Sequence, residues 1–430
     1  MSIAAEPFAE QEGLRARVAL GQAEVVIVLG ASALVAVHLL DDSFVQREAG
    51  TTVADHLFSG LVPLAFVAAA AVGYTRLRPG RRAAVAVLLG IAGIVTGAVE
   101  PAFYGPKEGL SGDDYSGLLA AAAGASLILV AGVTAWRGRR LGDSHVWRYG
   151  RRLLLAAAWL LGLFFVVFPL SLSYGFTHVA RTGTATGDLG APYESVAFDA
   201  SDGLRLSGWF VPSKNGATVI VYPGKRGTQK HARMLVRNGF GVLVFDRRGE
   251  GASEGDPNAL GWGFDRDLRG ALDYLRGRDD VDAERVGGLG LSVGGEAFLQ
   301  TAAETTAVKA VVSDGAGSRS VREDTVHVHA GKLPEIAISG VMTAGMALFS
   351  NRLPPQNLKD LAGRITTTPV FFIYATKGAG GEENTPDYYA AARGRKQIWL
   401  VETTHTHGLT TRPLDYERRV VRFFDRALRG

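Results

Sequence analysis

The chain has 430 residues, which is longer than one ordinary domain, and it contains no cysteine. Disulfides and cysteine-based metal sites are therefore excluded. The formal net charge is only +4, and the arginines concentrate in short loops between apolar runs instead of forming a basic stretch with interleaved aromatic residues. This distribution argues against nucleic acid as a partner and is typical of loops beside a membrane.

The first part of the chain, up to about residue 176, is dominated by Ala, Leu, Val and Gly. A helix needs roughly 17 to 25 apolar residues to cross a bilayer, and soluble helices keep a polar face. Residues 1–176 are therefore predicted to be an all-α transmembrane domain of four or five helices in contact with membrane lipids. The candidate spans, of which the first is marginal in length, are Val25 to Leu40, Leu57 to Tyr74, Ala83 to Val99, Leu118 to Trp136 and Leu153 to Tyr174.

The loops between these runs alternate in charge. The loops after the second and fourth runs carry Arg76, Arg78, Arg81 and Arg82, and Arg137, Arg139, Arg140, Arg148, Arg151 and Arg152. The other two loops are acidic, with Asp41, Asp42, Glu48 and Asp55, and Glu100, Glu108, Asp113 and Asp114. Arginine-rich loops stay in the cytoplasm. The sequence therefore predicts a multi-pass protein of the cell membrane whose C-terminal domain lies outside the cytoplasm.

A Gly- and Thr-rich linker, residues 177–191, leads to a second domain, residues 192–430. Its short apolar runs predict strands at Ser195 to Phe198, Arg205 to Phe210, Thr218 to Tyr222, Gly241 to Phe245, Val286 to Leu291, Ala310 to Ser313, Val370 to Tyr374 and Gln397 to Val401. Helical patterns lie between or after them at His231 to Asn238, Phe264 to Arg276, Glu296 to Thr305, Asp387 to Ala392 and Pro413 to Leu428. This alternation predicts a mostly parallel sheet with helices on both faces and a site at the carboxyl ends of the strands.

The pentapeptide Gly290-Leu291-Ser292-Val293-Gly294 stands between a predicted strand and a predicted helix. In that context the Gly-x-Ser-x-Gly pattern is typical of a nucleophile elbow, because the glycines permit the sharp turn that exposes the serine hydroxyl. A second copy of the pattern surrounds Ser253 but has no strand directly before it. We interpret the second copy as a Gly-rich loop, and Ser292 as the candidate nucleophile.

Four motifs in this order resemble the α/β-hydrolase superfamily, and in particular its membrane-anchored bacterial esterase-like and peptidase-like branch. They are Tyr222-Pro223-Gly224, the segment from Asp246 to Gly255, the segment from Gly290 to Gly295, and His405-Thr406-His407-Gly408-Leu409. The resemblance covers roughly residue 193 to the C-terminus. It implies a serine hydrolase that cleaves an ester, or a thioester or amide, by a Ser-His-acid triad, with no cofactor.

The base of such a triad is a histidine in the loop after the last strand. Two histidines stand there, and His405 is favoured because it opens a run resembling the histidine loop of the superfamily, whereas His407 falls where that loop usually has glycine. A His-x-His pattern also suits a metal site. A second pair, His327 and His329, keeps this alternative open, although we expect no metal because no acidic cluster of matching spacing accompanies them.

The acid of the triad is expected after the strand Val370 to Tyr374. The loop there offers Glu382 and Glu383 and no aspartate, and Glu383 is slightly favoured. Adjacent side chains diverge, so one of the two is expected to reach the histidine. Asp314, which follows the preceding strand, is the fallback.

An oxyanion hole in this superfamily uses main-chain N–H groups. The resemblance assigns one to Val293, directly after the nucleophile, and another to Lys225 or Arg226 in the loop after an early strand. Arg247 and Arg248 are interpreted as structural residues.

The segment 318–368, between two late strands, is expected to form a small cap over the site. Its many apolar residues favour a hydrophobic small-molecule or lipid-like acyl substrate, although the same residues would also serve to seal the core. A competing hypothesis keeps the fold but not the chemistry. In that hypothesis the protein is a membrane sensor or scaffold with a non-catalytic, hydrolase-like binding domain.

Overall fold

The computed structural model describes residues 6–108, 110, 112–138, 145–179, 181, 187–223, 225–325 and 332–429. The chain divides by its internal contacts into two compact units. The first comprises Met1–Arg47 and Thr52–Gly175, and the second comprises Glu48–Thr51 and Phe176–Gly430. Glu48–Thr51 thus groups with the second unit although it lies within the N-terminal half of the sequence.

The first unit is helical throughout its described elements. Its helices are α1 (Glu6–Leu40), α2 (Leu57–Tyr74), α3 (Pro79–Glu108), α4 (Asp114–Arg137) and α5 (His145–Gly162), and a π-helical turn, Leu163–Val167, joins α5 to α6 (Phe168–Thr177). Five helical stretches among the described residues are long and apolar enough to cross a membrane. The first candidate span, Val25 to Leu40, is marginal in length as a sequence run. It lies within one of these helical stretches, Gly21–Val45, which has 25 residues.

Glycines allow α3 and α4 to approach each other closely. A Cβ atom at Gly97 would lie 2.1 Å from the main-chain oxygen of Gly117, and a Cβ atom at Gly124 would lie 2.5 Å from the main-chain oxygen of Gly90. Small residues at such crossings are typical of helix pairs that pack within a bilayer. The buried His38 adds a polar contact, because its Nδ1 lies 3.1 Å from Oγ of Ser116.

The second unit is built on an eight-stranded sheet in the order β1-β2-β4-β3-β5-β6-β7-β8. β1 pairs with β2, and β2 with β4, in antiparallel fashion, and every other neighbouring pair is parallel. The mostly parallel sheet predicted from the sequence is confirmed. The strands are β1 (Glu194–Asp199), β2 (Arg205–Val211), β3 (Thr218–Tyr222), β4 (Gly241–Phe245), β5 (Val286–Leu291), β6 (Ala310–Asp314), β7 (Val370–Lys377) and β8 (Lys396–Thr404).

Helices cover both faces of this sheet. The α-helices of the unit, after α6, are α7 (Lys225–Arg237), α8 (Phe264–Arg276), α9 (Val293–Glu304), α10 (Val321–Asp324), α11 (Leu333–Phe349), α12 (Leu358–Ala362), α13 (Thr385–Ala391), α14 (Gly408–Thr411) and α15 (Pro413–Leu428). α8, α9 and α12 pack on the face that contains Ile220, whereas α7 and α15 pack on the face that contains Val221. Alternate residues of β3 thus enter two separate apolar cores, which is why the strand is mostly apolar.

The segment between β6 and β7 contains α10, α11 and α12, where a cap was expected. Its base is held by hydrogen bonds at both ends. The N–H of Ser318 donates to the main-chain oxygen of Gly380 at 2.6 Å. The carboxylate of Glu323 accepts the N–H of Ser320 at 3.0 Å and also the N–H of Leu358. We call Ser318, Ser320, Glu323 and Leu358 the insertion base.

Candidate active site

Ser292 occupies the turn between β5 and α9. Its backbone has φ of 53° and ψ of −125°, a strained conformation for a residue other than glycine. The flanking glycines make this turn possible. A Cβ atom at Gly290 would lie 2.3 Å from the main-chain oxygen of Gly294, and a Cβ atom at Gly294 would lie 2.4 Å from the main-chain oxygen of Tyr222. Any larger residue at these two positions would push the serine out of its place.

His405 lies directly against this serine. It follows β8, in the turn that precedes α14, and its Nε2 is 2.9 Å from Oγ of Ser292. The turn is tight, since Thr406 has φ of 54°. A hydroxyl and an imidazole at this distance are in hydrogen-bond reach, which is the arrangement that activates a serine as a nucleophile.

Glu382 lies on the other side of the imidazole. Its Oε2 is 2.9 Å from Nδ1 of His405, and its Oε1 accepts the N–H of Ala375 at 2.7 Å. The side chain is fully buried. Gly378 leaves room for it, because a Cβ atom there would lie 2.4 Å from the carboxylate. Serine, histidine and glutamate therefore form one continuous chain of hydrogen bonds.

The structure places Glu382 beside His405, whereas the sequence pattern slightly favours its neighbour Glu383 as the acid. Glu383 starts from the same short 3₁₀ turn, Glu382–Asn384, but successive residues of such a turn point in directions about 120° apart. Its side chain is 59% exposed, and one carboxylate oxygen lies 3.5 Å from Nζ of Lys332. Glu383 is thus directed to the surface while Glu382 is directed to the imidazole.

The two remaining alternatives also point elsewhere. Asp314, at the end of β6, is buried, and its carboxylate accepts the hydroxyl of Tyr416 at 2.7 Å instead of contacting the imidazole. His407 is exposed, and its Nδ1 lies 2.7 Å from the main-chain oxygen of His405. Asp314 still has a structural link to the site, because its main-chain oxygen accepts the N–H of Ser292 at 2.8 Å.

The charges around the imidazole favour its protonated form. The hydrogen bond with Glu382 raises the pKa of His405, and burial opposes the shift in part. Burial also raises the pKa of Asp314 to about 7. A histidine whose cationic form is favoured in this way is a better acceptor for the proton of a serine hydroxyl.

Glu296 is a buried acid near the site that sequence reasoning missed. It lies in α9, and one carboxylate oxygen accepts the N–H of Gly317 at 3.2 Å. Burial raises the pKa of Glu296 to about 7, and its charge also acts on the imidazole of His405. The available signal was a charged residue in the first turn of a helix whose following residues are small or apolar.

The expected oxyanion donors are main-chain groups at helix starts. Val293 is the first residue of α9, and Lys225 is the first residue of α7, with Arg226 next. The first N–H groups of a helix have no acceptor within the helix, which is the kind of group that an oxyanion hole uses. The side chains of Lys225 and Arg226, and the whole of Gly224, lie outside the described residues.

The serine of the second Gly-x-Ser-x-Gly copy, Ser253, stabilises the fold. Ser253 is buried; its hydroxyl donates to the main-chain oxygen of Asp246 at 2.7 Å and accepts the N–H of Ser207 at 3.0 Å. The neighbouring Arg248 is also buried, with Nε 2.8 Å from a carboxylate oxygen of Asp267. These groups tie the loop after β4 to β2 and α8.

Within the part of the chain that the structure describes, no group of three or more histidine, cysteine or acidic side chains is arranged to hold a metal ion. The pair His327 and His329, which kept a metal site open, lies outside the described residues.

Comparisons with known proteins agree with this fold. The family model of the X-Pro dipeptidyl-peptidases (S15 family) matches residues 192–364. An uncharacterized protein of Salmonella typhimurium, YfhR, is 29% identical over 256 residues, which cover 56% of this chain and 85% of that protein. The α/β hydrolase domain-containing protein WAV2 of Arabidopsis thaliana is 36% identical over 111 residues, which cover 24% of this chain and 35% of that protein.

Among solved structures, an esterase of Pyrococcus furiosus superposes with a TM-score of 0.49 and 22% identity, covering 59% of this chain and 100% of the esterase. With the sheet order, the turn at Ser292 and the sequence matches, the chain is a member of the α/β-hydrolase superfamily and a hydrolase.

Proposed function

We propose that the protein is a membrane-held serine hydrolase that cleaves an ester, or a related acyl bond, with Ser292, His405 and Glu382. One observation carries this proposal. Two hydrogen bonds of 2.9 Å connect the serine hydroxyl to the imidazole and the imidazole to a buried carboxylate. The order Ser, acid, His along the chain is also the order that this fold requires.

The reaction follows from this arrangement. Oγ of Ser292 attacks the carbonyl carbon while Nε2 of His405 takes the hydroxyl proton, and the imidazolium then gives that proton to the leaving group. Water attacks the resulting acyl-enzyme with His405 again as the base. Glu382 keeps the proton on Nδ1 and stabilises the imidazolium. The N–H of Val293, with that of Lys225 or Arg226, stabilises the negative oxygen of the tetrahedral intermediates.

The substrate class is proposed from the insertion between β6 and β7. Its longest helix, α11, is apolar over 17 residues, with Leu333 as an exposed member. The insertion begins after Gly315, where a Cβ atom would lie 3.1 Å from Cε1 of His405, so its apolar helix would suit a hydrophobic acyl group. We therefore propose a hydrophobic small-molecule or lipid-like acyl substrate.

Activity-based labelling tests the proposed chemistry. A fluorophosphonate probe added to the full-length protein in detergent micelles is expected to form one adduct, which peptide mass spectrometry will locate on Ser292. Heat-denatured protein is the control, because the serine loses its base on unfolding. An adduct on Ser253 would contradict the assignment, and no adduct on folded protein would favour the non-catalytic sensor.

The membrane orientation is a second part of the proposal. Arginine-rich loops support a topology in which the hydrolase unit lies outside the cytoplasm. The absence of cysteine makes single-cysteine variants clean reporters. Asp279→Cys, at an exposed position between α8 and β5, is expected to react with a membrane-impermeant maleimide on intact cells whose outer barrier, if present, is opened.

The matched control is Arg78→Cys, at an exposed position between α2 and α3. It is expected to react only after the cytoplasmic membrane is permeabilised. The reverse pattern would invert the topology and remove the proposal of an extracytoplasmic substrate.

A further inference from the structure

Arg352 projects from the insertion toward the loop that precedes α8. It lies between α11 and α12 and is half-buried. A Cβ atom at Gly263 would lie 2.7 Å from Nη1 of Arg352. The guanidinium therefore lies directly against the backbone of Gly263, where a side chain would collide with it. The φ of 88° at this position also favours glycine.

The same loop reaches the candidate oxyanion hole. A Cβ atom at Gly261 would lie 2.9 Å from Cβ of Val293, the residue after Ser292. Two residues of chain span at most about 7 Å, so the Arg352 guanidinium lies within roughly 16 Å of the Val293 side chain, counted through Gly261 and Gly263. A substrate would therefore need to extend no more than about 16 Å to reach both Arg352 and the residue next to Ser292.

The charge of Arg352 lacks a direct partner among the described residues. Its two cationic neighbours are paired: Nη1 of Arg248 lies 2.9 Å and Nη1 of Arg266 lies 3.1 Å from the same carboxylate oxygen of Asp202. No carboxylate of the described residues lies within the 4.0 Å of an ion pair with Arg352, although Asp202 and Asp256 attract it from farther away. Burial, and then repulsion by Arg248 and Arg266, lowers the pKa of Arg352.

A half-buried guanidinium without a paired anion is an unfavourable arrangement in a resting protein. It becomes favourable when a ligand supplies the anion, because the planar guanidinium binds a carboxylate or a phosphate through two parallel hydrogen bonds.

We propose that Arg352 is a specificity-determining residue that binds a negatively charged group, carboxylate or phosphate, on the substrate of Ser292. This inference rests on the proposed function and deepens it. Together with the apolar helix α11, it describes a substrate with an apolar acyl chain and an anionic end. Arg352 takes no part in bond breaking, so neutral esters remain substrates without its help.

Matched pairs of esters test the inference on the full-length protein. The first arm compares p-nitrophenyl half-esters of linear dicarboxylic acids of four to ten carbons with neutral esters of equal chain length. The second compares a monoacylglycerol phosphate with the corresponding monoacylglycerol, which separates a phosphate from a carboxylate preference. Wild type is expected to show a higher kcat/KM for the anionic member in at least one arm.

Arg352→Gln is expected to lower kcat/KM for the preferred anionic substrate by about 10- to 100-fold, the usual range for losing a hydrogen bond to a charged group. The neutral esters are expected to change by less than about two-fold, which also verifies that the variant folds. Arg352→Lys should retain part of the preference. Arg266→Gln, a nearby exposed arginine already paired with Asp202, is the matched control and should leave the ratio of anionic to neutral rates near that of wild type.

Several results would overturn the inference. Equal rates for both members of each pair in wild type would contradict a preference for an anionic substrate. The proposal of a serine hydrolase would be unaffected. An equal loss on charged and neutral esters in Arg352→Gln would make the residue structural. If no ester is cleaved and the phosphonate probe forms no adduct, the proposed function fails first and the inference fails with it.

Discussion

Replacing Ser292 by alanine is expected to lower kcat for ester hydrolysis by about 10³- to 10⁶-fold, the range seen when the nucleophile of such a triad is removed. Alanine retains the backbone of the turn and removes only the hydroxyl that contacts His405. The free energy of unfolding should therefore change by less than about 1 kcal/mol. Initial rates with p-nitrophenyl acyl esters and urea unfolding of the detergent-solubilised protein measure the two quantities.

Ser253→Ala is the matched control. Its hydroxyl is buried and makes two hydrogen bonds, so its loss leaves polar main-chain groups unpaired and should cost about 1–3 kcal/mol of stability. Molecules that fold should turn over substrate at nearly the wild-type rate. If Ser253→Ala were inactive with normal stability and Ser292→Ala were active, Ser253 and not Ser292 would be the nucleophile.

Glu382→Gln is expected to lower kcat by about 10⁴-fold while Glu383→Gln changes it by no more than a few-fold. The glutamine oxygen can still accept the N–H of Ala375, which the carboxylate now accepts at 2.7 Å. Its amide group then faces Nδ1 of His405, which must become an acceptor. The proton moves to Nε2, the atom that should receive the proton of Ser292, so the histidine adopts the wrong tautomer.

The two adjacent substitutions carry the same change of charge and size, so they form an internal control. Rates at saturating substrate, measured in parallel, distinguish them. A large loss in Glu383→Gln with little loss in Glu382→Gln would restore the assignment that the sequence favoured.

Buried strands and amphipathic helices could be predicted from the sequence with accurate ends. β3, β4 and β5 have the predicted bounds, and so do α8 and α15. Strands covered on both faces are apolar at nearly every position, and α8 and α15 separate apolar from charged residues clearly. The start of α7 was placed six residues late, at His231 instead of Lys225, because the first residues of that helix are polar and include Gly227.

The residues of the candidate site were less predictable, because they depend on the directions in which side chains point. Glu382 and Glu383 have the same chemistry and are adjacent, and only the orientation of one short turn separates them. Glu296 and Arg352 depend on contacts between segments far apart in the sequence. The charged residue in the first turn of α9 is a local signal for Glu296, but it does not indicate what the carboxylate contacts. No local pattern indicates that the guanidinium of Arg352 has no carboxylate beside it among the residues that the structure describes.

The insertion base connects the insertion to the turn that carries the candidate acid of the triad. Ser318 is bonded to Gly380, next to the turn that carries Glu382, and Glu323 joins the two ends of the insertion through Ser320 and Leu358. A lid hinged at its root would strain this acid-bearing turn with every opening. An opening movement that leaves the insertion base intact would therefore leave Glu382 in place beside His405.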